Sequence, residues 1–152
     1  MAIWGVKPFE SDAAMELLRD VIDYANKNKG IVLEDLIEDL ISDDRLPASL
    51  EEMPIVDVEY DICAIALGEI VCQAIGTRQV RYGSEEEDVF NFPGTIAFTA
   101  DDIDFLLARV AAVCESDHPV HSLYAYWAQS EQMDAWQEEV NRLADELAGL
   151  RE

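Results

Sequence analysis

Basic side chains are scarce in this sequence: ten Lys and Arg stand against 33 Asp and Glu in 152 residues, a formal net charge of −23. A field of that sign repels phosphates and anionic lipid headgroups over roughly a Debye length, about 8 Å at physiological salt. General nucleic-acid binding depends on Lys and Arg neutralising phosphates, so neither nucleic acid nor an anionic membrane is an expected partner. Cysteine is also sparse. Cys63, Cys72 and Cys114 are odd in number, lack CxxC spacing and fall within apolar helical patterns. They read as buried thiols, not as a disulfide framework, and imply a reducing cytoplasm. No uninterrupted apolar run reaches the roughly 18 residues of a membrane span. The nearest, Ile62 to Ile75, is broken by Glu69 and Gln73. Met1 to Glu10 has no basic stretch leading into an apolar one, so no secretory signal is expected. Histidine is limited to His118 and His121. No phosphate-cradling Gly-rich loop, GxSxG elbow or HExxH is present, so no catalytic residue, metal or cofactor is expected.

What is present is a core. Half of the residues are apolar, enough for one domain of this length to fold without staples. Residues 1–10 read as an irregular arm with aromatic anchors. Ser11 then caps a helix with Ala14, Leu17, Leu18, Val21, Ile22 and Ala25 at helical spacing, stopped by Asn26 to Gly30. Leu33, Leu36, Ile37, Leu40 and Ile41 mark a second, strongly amphipathic helix. Residues 42–60, with Pro47 and Pro54, read as a long loop. From about Asp61 to Ile75 a helix apolar around most of its circumference belongs at the centre of the fold, ended by Gly76. Residues 76–100 read as a second long loop. Thr99 and Asp102 approximate a capping box before Ile103, Leu106, Leu107, Val110 and Val113. A helix restarts at Asp117-His118-Pro119 and runs through Leu123, Tyr126 and Trp127. Ser130 precedes a last helix with Trp136, Val140, Leu143 and Leu147 on one stripe. The expected fold is all-α: a single domain over residues 1–152, about six helices around a central apolar helix.

Several groups are candidates for chemistry or contact. Glu34, Asp35, Glu38 and Asp39 place like charges four apart, twice, on one helix face. Each such pair costs an isolated helix a few tenths of a kcal/mol, so the arrangement suits a basic partner surface, a loosely held divalent cation or plain solubility. The run Glu85, Glu86, Glu87 and Asp88 lies beside Phe90 and Phe92, which either pack back on the core or form a contact patch. Glu69 is a lone carboxylate in the most apolar helix. It belongs either to an exposed stripe with Gln73 and Ala66 or to a buried hydrogen bond to the Trp4 arm; buried carboxyls of raised pKa can mark sites. Glu115 and His118 have the ExxH spacing of half a di-iron site, but a second such motif is missing.

The opening Trp4-Gly5-Val6-Lys7-Pro8-Phe9-Glu10-Ser11-Asp12-Ala13-Ala14 resembles the start of a bacterial family of unknown function, the DUF4259 domain, with its signature W-G-x-x-P-F-x-[NS]-D-x-A. The Ala-rich central helix around Glu69 and the C-terminal tryptophans Trp127 and Trp136 are similar as well. Lys7 stands where a small residue is more usual. The resemblance implies the helical fold and a bacterial cytoplasmic setting, and it implies no reaction.

The function expected from these readings is a non-enzymatic acidic interaction protein that engages a basic protein partner, as an immunity-like inhibitor or regulatory module would. The alternative is a small-molecule or divalent-metal domain, possibly enzymatic, around Glu69 or His118 and His121. A third reading, mimicry of DNA, uses the same acidity.

Overall fold

The computed structural model describes residues 3, 5–46, 58–83, 85–113 and 122–150. Along the chain run α1 (Asp12–Asn28), β1 (Gly30–Val32), α2 (Leu33–Ser42), α3 (Val58–Thr77), β2 (Gln79–Arg81), β3 (Val89–Asn91), β4 (Thr95–Ala97), α4 (Ala100–Val113), α5 (Ser122–Ala128) and α6 (Met133–Leu150). The six helices make up 67% of the described residues.

Local chemistry sets the helix ends. Ser11 Oγ accepts the Ala14 N–H at 3.2 Å, which satisfies one of the free donors at the start of α1, and Asp12 adds negative charge to the positive end. Lys29, in the left-handed region (φ 55°), closes the helix by donating its N–H to the Ala25 carbonyl. At α4 the expected capping box is reciprocal: Thr99 N–H donates to Asp102 Oδ2 at 2.9 Å and Asp102 N–H to Thr99 Oγ1 at 3.3 Å. Ser130 accepts from Gln132 N–H at 3.0 Å, shaping the turn that leads into α6.

The central helix is α3. Ile62 to Leu67 are all buried, as are Ile70, Val71 and Ala74, and α1, α4, α5 and α6 all pack against it. By length and composition alone Tyr60–Thr77 could cross a membrane, yet 61% of that stretch is buried inside this fold, where a core helix passes the same test. Asp61, itself buried, accepts the Leu123 N–H at 3.3 Å and so ties the start of α5 to α3.

The mostly helical structure agrees in outline with the all-α expectation, to which it adds two small sheets. The region expected as a loop over 76–100 contains β2, β3 and β4: β2 and β3 pair antiparallel, Val80 opposite Phe90, and β4 pairs parallel with β1, Gly30 opposite Thr95. Three-residue strands are too short for alternation to register against a background of polar residues. Their signal lies elsewhere, in Val80, fully buried between exposed Gln79 and Arg81. At the head of β4, Gly94 adopts φ 68°, and a Cβ there would collide with the Lys29 carbonyl. Only glycine lets β4 come so close to the end of α1. The other long loop, 42–60, is shorter than expected, because α3 begins at Val58. Residues 47–57, including Pro47 and Pro54, lie outside the described residues.

Candidate functional site

The amino-terminal arm turns back on itself at Lys7 to Glu10. Glu10 N–H donates to the Lys7 carbonyl at 3.0 Å, and Glu10 Oε1 accepts the Lys7 N–H at 3.1 Å. The Glu10 carboxylate lies over Gly5, where any Cβ would stand about on top of it, at 2.5 Å. Ile3 bridges to Ser11, so the arm lies antiparallel to the start of α1. Gly5, Pro8, Trp127 and Trp136 face one small cavity of about 30 Å³, with the two indoles stacked at 6.4 Å between centroids. Phe9 is buried in the core. Residues distant in sequence therefore meet around this arm: Gly5, Pro8, Phe9, Trp127 and Trp136. Asp12 is exposed at the first turn of α1, and Trp4 lies outside the described residues.

On the other side of Pro8 and Phe9 opens a cleft of about 660 Å³, bounded by the arm, α3, the β2–β3 hairpin and α6. Its floor carries Glu69. The residue is 9% exposed, so the exposed-stripe expectation is corrected, and Ala66 is fully buried beside it. Glu69 accepts hydrogen bonds from Gln73 Nε2 at 3.0 Å and from Arg142 Nη2 at 3.3 Å. Gln73 Oε1 in turn accepts the Arg81 N–H at 2.8 Å. A continuous polar chain thus runs from the hairpin through α3 to α6. Arg142 is held by three carboxylates: Glu69, Glu139 at 3.0 Å and Glu146 at 2.9 Å. Burial of the guanidinium pulls its pKa down, but Glu69, Glu139 and Glu146 outweigh that and hold it above its ordinary value. It stays a cation wherever the protein is folded. Nearby Cys72 is pushed up to about 12, first by burial and then by Glu146 and Glu69. That thiol is protonated at neutral pH and a poor nucleophile. Cys63 is buried, as expected of all three thiols, whereas Cys72 is half-buried. Cys114 lies outside the described residues.

The acidic candidates divide into two kinds. On α2, Glu34, Asp35, Glu38 and Asp39 are all exposed, and none is in an ion pair among the described residues. Their field reaches α1: the Tyr24 phenol is raised by burial, then by Asp35 and Asp39, against a lowering hydrogen bond with the Val32 backbone. Val32, the residue before α2, is 46% exposed and Phe98, the residue after β4, is 37% exposed. Val32 pairs in register with exposed Ala97, so the two share a sheet face.

The run Glu85 to Asp88 is instead the tip of the β2–β3 hairpin. Asp88 Oδ2 accepts the Glu85 N–H at 3.3 Å, and the Glu85 carbonyl accepts from Arg81 Nη1 at 3.0 Å. Glu86 and Glu87 are exposed. Phe92 is buried and Phe90 packs edge-on against it at 4.9 Å. The pair packs back onto the core, Phe92 within it and half-buried Phe90 against it, the first of the two alternatives the sequence left open. Glu115, His118 and His121 lie outside the described residues, and no group of three or more His, Cys, Asp or Glu among the described residues could hold a metal.

Sequence reasoning missed Lys7, Gln73, Arg81 and Arg142 as members of one cleft. Glu139, Arg142 and Glu146 have spacings of three and four, which signals ion pairing along α6. Nothing in that spacing points to Glu69, 73 positions away. Among protein families, the model described as Domain of unknown function (DUF4259) matches residues 2–139. The match takes in the arm, Glu69 and both tryptophans and stops inside α6 before Arg142. No curated protein and no solved structure matches the chain.

Proposed function

The chain belongs to the DUF4259 family, which brings no reaction with it, and we propose that it is a non-enzymatic interaction protein that binds a basic protein partner through the α2 face. One observation carries the reading: four exposed carboxylates without ion-pair partners among the described residues follow directly in the chain on Val32, an exposed apolar residue paired with exposed Ala97. Interfaces combine an apolar centre with a polar rim, and complementary charge steers the encounter. Carboxylates next to an exposed apolar residue fit a partner whose Lys and Arg lie beside a hydrophobic patch. The ten-residue α2 is about 15 Å long, a length that suits a local contact better than imitation of a duplex. An inhibitor of a basic toxin and a regulatory subunit are both proteins of this kind.

The test is capture from the source organism's lysate at low ionic strength by four forms of the purified protein. The wild type and a Glu131→Lys/Asp134→Lys control retain the same basic protein. Glu34→Lys/Glu38→Lys, with an identical change in net charge, loses it, and Val32→Asp weakens it. Equal retention by both double variants, or no capture by the wild type, overturns the reading.

A further inference from the structure

We propose that the cleft between the arm, α3, the β2–β3 hairpin and α6 binds a small zwitterion of amino-acid or dipeptide type. The cleft, about 660 Å³, falls within the usual range for small-molecule sites, about 300–1,000 Å³. Its walls alternate in charge. The arm brings Lys7 and Glu10, the hairpin Arg81 and Asp88, and α6 Arg142 and Glu139. Three of the ten basic residues in the whole chain meet in this one place.

The floor is satisfied from within the protein. Both Glu69 oxygens have donors, one from Gln73 and one from Arg142, so a ligand is not needed to rescue a buried charge. The mouth is different. Neither the Lys7 ammonium nor the Arg81 guanidinium is in an ion pair among the described residues. Glu10, Asp88 and Glu139 each receive their hydrogen bonds among the described residues on a single oxygen. Among the described residues the second oxygen of each is an open acceptor. A simple anion would meet Lys7 and Arg81 but also four carboxylates and the field of a strongly acidic protein. A simple cation would meet the carboxylates and be repelled by three basic groups. A molecule carrying both charges a few ångströms apart satisfies both sets. The Glu69–Gln73–Arg81 chain, holding the hairpin to α3, preorganises the cleft. This reading does not depend on the α2 interface.

The experiment is thermal unfolding and titration calorimetry of the intact protein at low ionic strength, with each standard amino acid and with diglycine as probes. Acetate and methylamine, alone and mixed, serve as single-charge comparisons. At least one zwitterion is expected to raise the Tm by about 3–6 °C at about ten times its Kd, with no such rise from acetate plus methylamine. Lys7→Gln and Arg81→Gln each weaken binding about tenfold, the loss of one charge-assisted hydrogen bond, whereas Lys27→Gln leaves it unchanged. Lys7 is exposed, so its variant tests the site even if Arg81→Gln disturbs the hairpin. The proposal fails if no zwitterion shifts the Tm or gives heat, if the separate ions do as well, or if Lys7→Gln binds like the wild type.

Discussion

Replacing Arg142 with Met separates the two kinds of ion pair that the residue makes. Its contacts with Glu139 and Glu146 run along one helix at spacings of three and four, to side chains 28% and 48% exposed. Such pairs contribute about 0.3–0.5 kcal/mol each. The contact with Glu69 crosses to α3 and reaches a side chain only 11% exposed. A hydrogen bond to a charged group contributes about 1.5–3 kcal/mol. Arg142 is itself 39% exposed, and solvent screening lowers this contribution to about 1–2 kcal/mol. Arg142→Met therefore costs about 2 kcal/mol and, at about 2–4 °C per kcal/mol for a chain of this size, lowers the Tm by about 4–8 °C. Glu69→Gln removes the same cross-helix pair but leaves Arg142 two acids and Gln73 a partner, and costs about 1 kcal/mol or less. Urea unfolding of both single variants and the double variant gives the coupling directly. A loss under about 0.5 kcal/mol for Arg142→Met, or a larger loss for Glu69→Gln, refutes the assignment of Arg142 as the counter-charge of the buried carboxylate.

Cys72, with its thiol pushed up to about 12, is expected to alkylate about a hundredfold more slowly than an ordinary cysteine at about pH 8, allowing for the higher nucleophilicity of a more basic thiolate; iodoacetamide labelling read at the Cys72 peptide by mass spectrometry checks this, and a rate within threefold of a free thiol counts against it. Tyr24 titrates above 10.0 in the folded protein. Because the folded state holds the proton more tightly, its contribution to stability is full below that value and is lost as pH rises through the raised one. Asp35→Asn/Asp39→Asn brings the phenol back toward 10.0, followed by ultraviolet difference titration with Tyr24→Phe as the blank; an unmoved midpoint shows that the α2 carboxylates do not act on it.

The helices were legible because periodicity and caps agree along this chain. Ser11 and Thr99 announce the helices they start, and Leu33, Leu36, Ile37 and Leu40 face inward on α2 as their spacing requires. The central position of α3 follows from its apolar circumference alone. The small sheets were not legible: β1 and β4 join residues far apart in sequence, Gly30 with Thr95 among them, and the local β2–β3 pairing has strands of only three residues, too short for alternation to show. Phe90 and Phe92 show a second limit. An apolar pair beside four acids looks the same in sequence whether it faces water or the core, and only the hairpin turn at Asp88 turns it inward. At the cleft, Glu69 stood out because a carboxylate in an apolar helix violates its surroundings. Arg142 did not, because an arginine among glutamates on a helix surface obeys the ordinary rule.

The pairing of β1 with β4 also has a kinetic side. The two strands meet only after α2, α3 and the β2–β3 hairpin have been traversed, and closing so long a segment carries an entropic cost that local helix formation does not. The strands are short, and their ladder offers few hydrogen bonds to offset that cost. The expected consequence is that the amides of this short ladder exchange through local opening while those of the buried α3 exchange only on global unfolding, which native-state hydrogen exchange checks. Val32 is at once the last residue of β1 and the N-cap of α2, so any opening of the β1–β4 ladder is felt at the start of the acidic helix.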